Sequence, residues 1–210
     1  DLYVLWAVNA PSALTAVIMA GGLGSRLAPH TDECPKPLVE LGGKPILTHI
    51  IENLRDQGVR KFVLCLNYLG QMIVDHYGDG SALNVDILYV HENKRLGTGG
   101  ALSLVSVDQL SDPFLCMNGD ILTDVDANAL YETHLASDWF GTMVTRDFQY
   151  QVPYGVIRRD DGGVFEGSDE KPSLSFPINA GIYMLSKNVL PFIPRDTFYD
   201  LPTLFNELIK

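Results

Sequence analysis

The sequence is poor in positive charge. Lys and Arg number 15 against 26 Asp and Glu, a formal net charge of −11. A protein that grips nucleic acid presents a basic face to the phosphates, so nucleic acid is excluded as a partner. Cysteine is scarce as well. Cys34, Cys65 and Cys116 have no metal-ligand spacing and leave one thiol unpaired, which argues against a zinc site or a disulfide framework. Cys65 and Cys116 sit inside apolar runs, as buried thiols of a reducing cytoplasm would. No apolar run approaches the ~20 residues needed to span a bilayer. No basic, apolar and small-residue succession marks a signal peptide. A cytoplasmic protein without a membrane partner is expected. Internal repeats and low-complexity segments are missing too. His30, His49, His76, His91 and His134 share no spacing, and no Ser-His-Asp ordering is supported.

What is present concentrates in residues 17–38. An apolar run, Ala16 to Ala20, breaks into a glycine loop with Gly21, Gly22 and Gly24. Ser25 and Arg26 follow, and ten residues later Lys36 stands between Pro35 and Pro37. Glycine lets backbone N–H groups approach a phosphate without a Cβ in the way, and successive N–H groups form an anion-binding concavity. Arg26 and Lys36 add fixed and mobile positive charge for a polyphosphate. The loop is not a P-loop, because no Gly-Lys-Ser/Thr closes it. It is not a dinucleotide fingerprint either, because Leu27 stands where the third glycine belongs. A nicotinamide oxidoreductase would need that glycine and an acidic ribose ligand. A plain strand-to-helix turn is the bland alternative.

Strand and helix patterns alternate along the chain. Apolar strands are expected at 16–20, 62–66, 85–90, 114–117 and 141–146, and helices at 46–57, 71–77, 100–107, 127–135 and 201–210. Pro45 suits the first turn of the first helix and Gly58 its end. Asp126 suits the cap of the helix over 127–135. This rhythm predicts an α/β fold: a mostly parallel sheet covered on both faces, with ligands beyond the carboxyl ends of its strands. After residue 150 the rhythm changes, and Tyr154–Arg159, Asp160–Gly163 and Val164–Glu166 read as a hairpin. Such an insertion is expected to fold over the sheet edge as a subregion.

The glycine loop with Pro-Lys-Pro-Leu, followed in order by Gly42-Gly43-Lys44-Pro45-Ile46, Leu96-Gly97-Thr98, Asn118-Gly119-Asp120, Pro153-Tyr154-Gly155, Glu170-Lys171-Pro172 and Asn179-Ala180-Gly181-Ile182-Tyr183, resembles the sugar-nucleotide pyrophosphorylases. These are nucleotidyltransferases acting on sugar 1-phosphates, and the mannose-1-phosphate guanylyltransferase type is the most similar. The resemblance covers about residues 16–210. It implies a Rossmann-like three-layer αβα sandwich with a mixed, mostly parallel sheet. It also implies attack of a sugar 1-phosphate oxygen on the α-phosphorus of a nucleoside triphosphate, with pyrophosphate leaving. GTP and mannose 1-phosphate, or a related hexose or heptose phosphate, are the expected substrates, and Mg²⁺ the expected cofactor.

The resemblance also assigns residues. Ala20, Gly21, Gly22, Gly24 and Ser25 would wrap the nucleotide. Arg26 would grip the β- and γ-phosphates, and Lys36 would lie against the α-phosphate. A surface salt bridge and a solvated loop lysine are the respective alternatives. Asp120 would hold Mg²⁺; a helix cap is its alternative. Gly97 and Thr98 would read the base, unless Leu96–Gly100 is only a glycine-rich start to a helix. Asn67 and Gln71 follow another strand and would also face the base. Tyr154, Gly155, Glu170, Lys171 and Asn179 would hold the sugar phosphate. Ser168-Asp169 replaces an apolar pair of the family and puts the local strand in doubt. The net charge would repel a triphosphate, so binding has to come from these local groups and the metal.

Residues 1–15 include Leu2 to Trp6 and no initiator Met. They suit a linker, a docking strand, the remnant of an upstream domain or an added segment. Residues 16–210 would form the nucleotidyltransferase domain. In the family the chain continues into a strand whose Asp is the second metal ligand, so the domain is expected to be incomplete at its C-terminus. That motivates a second reading, a catalytically weak module that binds sugar nucleotides for regulation. A homo-oligomer is compatible with either.

Overall fold

A computed structural model describes residues 14–22, 24, 31 and 33–209. The expectations for residues 1–13 and for Ser25, Arg26, Leu27 and His30 fall outside the described residues. The chain divides into two compact units, Met143–Gly181 and the remainder.

The strands are β1 (Thr15–Met19), β2 (Glu40–Leu41), β3 (Lys44–Pro45), β4 (Lys61–Leu66), β5 (Asp86–His91), β6 (Phe114–Asn118), β7 (Gly141–Gln151), β8 (Val156–Arg159), β9 (Phe165–Asp169) and β10 (Ser173–Leu185). The helices are α1 (Ile46–Asp56), α2 (Gly70–Tyr77), α3 (Gly97–Leu102), α4 (Ala127–Leu135) and α5 (Leu201–Leu208). Six strands make one sheet in the order β5-β4-β1-β6-β10-β7. The first four are parallel, and β10 runs antiparallel to β6. The mixed, mostly parallel α/β sheet is the expected one.

The central strands are apolar on both faces because both are covered. Ala16, Val17 and Ile18 of β1, Phe62 to Leu66 of β4 and Phe114 to Met117 of β6 are all buried. Helix α1 buries Leu47, Ile50, Ile51 and Leu54, the spacing of one helical face. Pro45 lies just outside its first turn, with extended backbone that closes the β2–β3 hairpin onto the helix. Asp126 caps α4 by accepting from the N–H groups of Asn128 and Ala129 at 2.8 and 3.1 Å, as its sequence context predicts.

Two expectations need correction. The helix expected at 100–107 begins at Gly97 and ends at Leu102. The glycines that read as a loop are its first turn, and the reason is tertiary. Gly99 and Gly100 both donate to the carbonyl of Tyr199, at 2.9 and 2.8 Å, so a distant segment supports a helix start that propensity disfavours. The strand expected at 141–146 runs on to Gln151 as β7. The long strand β10 had no periodic apolar signal in its first half, where its side chains are largely exposed.

In the unit Met143–Gly181, β8 and β9 pair antiparallel with a register shift at Arg158/Arg159. Ser168 and Asp169 stay within β9, and Asp169 forms an ion pair with Arg158 across the hairpin. The unusual dipeptide therefore leaves the strand intact.

Candidate functional site

β1 and β6 end side by side. The N–H of Gly119 donates to the carbonyl of Met19 at 2.9 Å, and that of Ala20 donates to Cys65 at 2.9 Å. Beyond these ends lies a cavity of about 220 Å³. Ala20, Gly21, Gly22, Lys36, Gly97, Thr98 and Asp120 all line it. Seven expected residues thus converge on one concavity from four separate stretches of chain.

Lys36 opens a short 3-10 turn, Lys36–Leu38, between the extended Pro35 and the buried Pro37. Proline on each side restricts the backbone and fixes where the side chain starts. The ammonium donates to the Asp120 carboxylate across 84 residues of sequence. Gly24 lies against this turn. Its φ of 66° suits glycine, and a Cβ there would sit 3.2 Å from Cβ of Lys36. Its carbonyl accepts from the Thr31 hydroxyl at 2.9 Å. Gly24 therefore supports the wall that carries Lys36.

Sequence reasoning missed three charged groups lining the same cavity: Glu92, Arg95 and Asp200. Glu92 follows β5, and its carboxylate accepts from the Leu96 N–H at 3.0 Å. Burial pushes its pKa up, against the opposing pull of that hydrogen bond and of Arg95. Asp200 precedes α5 and accepts from the Thr98 N–H at 3.1 Å. Nothing local in Tyr-Val-His-Glu or Phe-Tyr-Asp marks either acid; each gains its place through a partner far away in sequence. Asn67 is not part of the cavity wall but backs it. A Cβ on Gly21 would come within 3.0 Å of the Asn67 Cβ, and the Asn67 amide donates to the Glu92 carbonyl at 3.3 Å. Gln71 bonds Asp75 along α2 instead, at 2.8 Å.

Among the described residues, no histidine lines the cavity. Among the described residues, too, no three His, Cys, Asp or Glu side chains gather as a metal cluster. No described helix is long and apolar enough to cross a membrane.

The second unit carries the expected sugar-phosphate residues. A Cβ on Gly155 would lie 3.1 Å from Oε2 of Glu170, so Glu170 covers the backbone of the Tyr154-Gly155 turn. Tyr154 is 75% exposed. Lys171 adopts a φ of 46°, a left-handed conformation that costs a non-glycine residue energy and often marks a functional turn. The turn is tied down by the Val152 N–H donating to Pro172 at 2.9 Å. Asn179 lies in β10 and accepts from the Gly181 N–H at 2.8 Å.

The chain as a whole is similar to known proteins. Residues 15–203 match the family model described as nucleotidyl transferase. The mannose-1-phosphate guanylyltransferase catalytic subunit beta of Drosophila melanogaster is 37% identical over 180 residues, 83% of this chain and 49% of its own length. The UTP–glucose-1-phosphate uridylyltransferase of Synechocystis is 30% identical over 214 residues, 93% of this chain and 55% of its own. The chain thus spans about half the length of the curated relatives it matches. The crystal structure of HddC from Yersinia pseudotuberculosis complexed with GMP-PN superposes with a TM-score of 0.69 at 30% identity, covering 90% of this chain and 85% of that one.

Proposed function

The chain belongs to the nucleotidyl transferase family, and from that premise we propose that it transfers a nucleoside monophosphate from a nucleoside triphosphate to a sugar 1-phosphate. A phosphate oxygen of the sugar attacks the α-phosphorus, the bond from that phosphorus to the bridging oxygen breaks, and pyrophosphate departs. One observation carries the reading: Lys36 and Asp120 meet beside Gly21 and Gly22 in a single cavity.

Little covalent work falls to the protein in such a transfer, so alignment and charge stabilisation must supply the rate. The backbone of Gly21 and Gly22 approaches the phosphates. Lys36 offsets the charge gathering around the α-phosphorus, and Arg26 grips the β- and γ-phosphates. Gly97 and Thr98 stand at the base. Tyr154, Gly155, Glu170, Lys171 and Asn179 hold the sugar phosphate.

Asp120 suits Mg²⁺, because that ion uses one or two carboxylates and takes the rest of its shell from phosphates and water. Asp120, paired with Lys36 beside the glycine loop, offers one such carboxylate. When bound, the ion would neutralise phosphate charge and align the leaving group.

GTP is the proposed donor and mannose 1-phosphate, or a related hexose or heptose phosphate, the proposed acceptor. The guanylyltransferase relatives support this choice. So does the cavity wall, where Glu92 offers an acceptor to the donor groups of a guanine edge.

The test is pyrophosphate release, with each of the common triphosphates against a panel of sugar 1-phosphates in the presence of Mg²⁺. GTP with mannose 1-phosphate is expected to turn over fastest. No turnover with any pair would overturn the proposal, and tight binding of a sugar nucleotide without turnover would assign the regulatory role.

A further inference from the structure

We propose that Asp200 is a positioning residue: with Thr98 it forms a reciprocal cap that locks the Gly97 side of the cavity to the C-terminal helix α5. The inference rests on the reading of this cavity as the nucleotide site.

Two helices begin here, and the first N–H groups of each need acceptors from outside the helix. Leu96, before α3, has no acceptor side chain. Asp200, before α5, does not cap its own helix. The two starts serve one another instead. Asp200 Oδ1 accepts from the Thr98 N–H at 3.1 Å and lies 3.4 Å from the Thr98 hydroxyl. That hydroxyl accepts from the Leu201 N–H at 2.9 Å. The Tyr199 carbonyl takes the next two N–H groups of α3, from Gly99 and Gly100. The Tyr199 N–H returns to the Leu96 carbonyl at 2.8 Å.

The glycines gain a second purpose from this arrangement. Gly97 has a φ of 76°, and a Cβ on it would lie 2.7 Å from Asp200 Oδ1. A Cβ on Gly100 would lie 2.6 Å from the Thr197 carbonyl. The stretch is glycine-rich so that residues 197–200 can press against it. The N–H groups of Thr98, Gly99 and Gly100 are consumed there, so they are not offered to phosphate. Gly97, Thr98 and Asp200 all face the cavity, so any displacement of α5 moves that wall.

Asp200→Ala is expected to weaken binding of the best triphosphate about tenfold, the scale of a lost helix cap. It should also speed amide exchange at Thr98, Gly99, Gly100 and Leu201 together. Asp200→Asn keeps an acceptor oxygen and is expected to restore both to near the unmodified protein. Equal losses for Asn and Ala, with Thr98 exchange unchanged, would overturn the proposal by making the charge a direct ligand contact. A lowered melting temperature with unchanged affinity would overturn it too. If the Ala variant does not fold, exchange in the unmodified protein decides: one shared rate for Thr98 and Leu201 supports the interlock, and independent rates overturn it. An unmodified protein that binds no triphosphate would defeat the cavity's assignment, while the exchange rates would still judge the interlock.

Discussion

Lys36 owes its place to its neighbours as much as to its charge. Two prolines fix the backbone, Gly24 backs it, and Asp120 receives its ammonium. Both partners of this ion pair are partly exposed, so the pair itself adds at most about 1 kcal/mol to stability. Their value is expected to appear in turnover. Lys36→Ala and Asp120→Asn should each lower kcat by roughly 10²-fold or more, the scale of one lost electrostatic contact in a reaction site, while the urea midpoint barely moves. Steady-state kinetics beside a denaturation curve checks this; a normal kcat in either variant removes that residue from the chemistry. These two residues were legible in the sequence because each sits in a short pattern of unusual neighbours. Glu92 and Asp200 were not. An isolated acid carries no local signature, and their roles come from hydrogen bonds to Leu96 and Thr98.

Elements were legible where local and tertiary preferences agree. Helix α4 begins and ends as expected because Asp126 accepts from its first free N–H groups. Asp126→Ala is expected to cost about 1 kcal/mol and to lower the melting temperature by roughly 2–4 °C, with turnover unchanged; calorimetry and the pyrophosphate assay together check both halves. Helix α3 was misplaced because its start is supported by Tyr199 and Asp200, which no window around Gly97 contains. At the far end of α4, His134 is buried and bonds the Thr142 hydroxyl at 2.9 Å. Burial lowers its pKa, with Asp112 opposing. A depressed folded-state pKa means the unfolded chain takes up the proton more readily. The stability His134 contributes is therefore present above about pH 6.5 and lost as pH falls below it. Urea midpoints measured between pH 7.5 and 5 should decline, and His134→Gln should flatten that decline.

Across the molecule, a mostly parallel sheet was foreseeable from alternating strands and helices, whereas the order β5-β4-β1-β6 and the strand β10, largely exposed over its first half, were hidden. The thiols report on this core. Cys65 and Cys116 are fully buried in β4 and β6, and burial pushes both pKa values up. Cys34 is only part-buried. A thiol reagent should label Cys34 first. Cys65 and Cys116 should follow at one slower, shared rate set by opening of the sheet, and mass spectrometry of labelled peptides checks it. Distinct rates for the two would mean that β4 and β6 open separately.

The placement of β1 between β4 and β6 has a wider consequence. The chain leaves β1 toward one side of the sheet to build β4 and β5, then crosses back to build β6 on the other. At such a topological switch point the connections diverge and leave a crevice that no loop bridges. The location of the cavity is thus set by winding order, before any side chain is chosen. Replacing Glu92, which lines the recess, is expected to change what the recess admits while leaving it in place, because its position belongs to the sheet and not to that side chain.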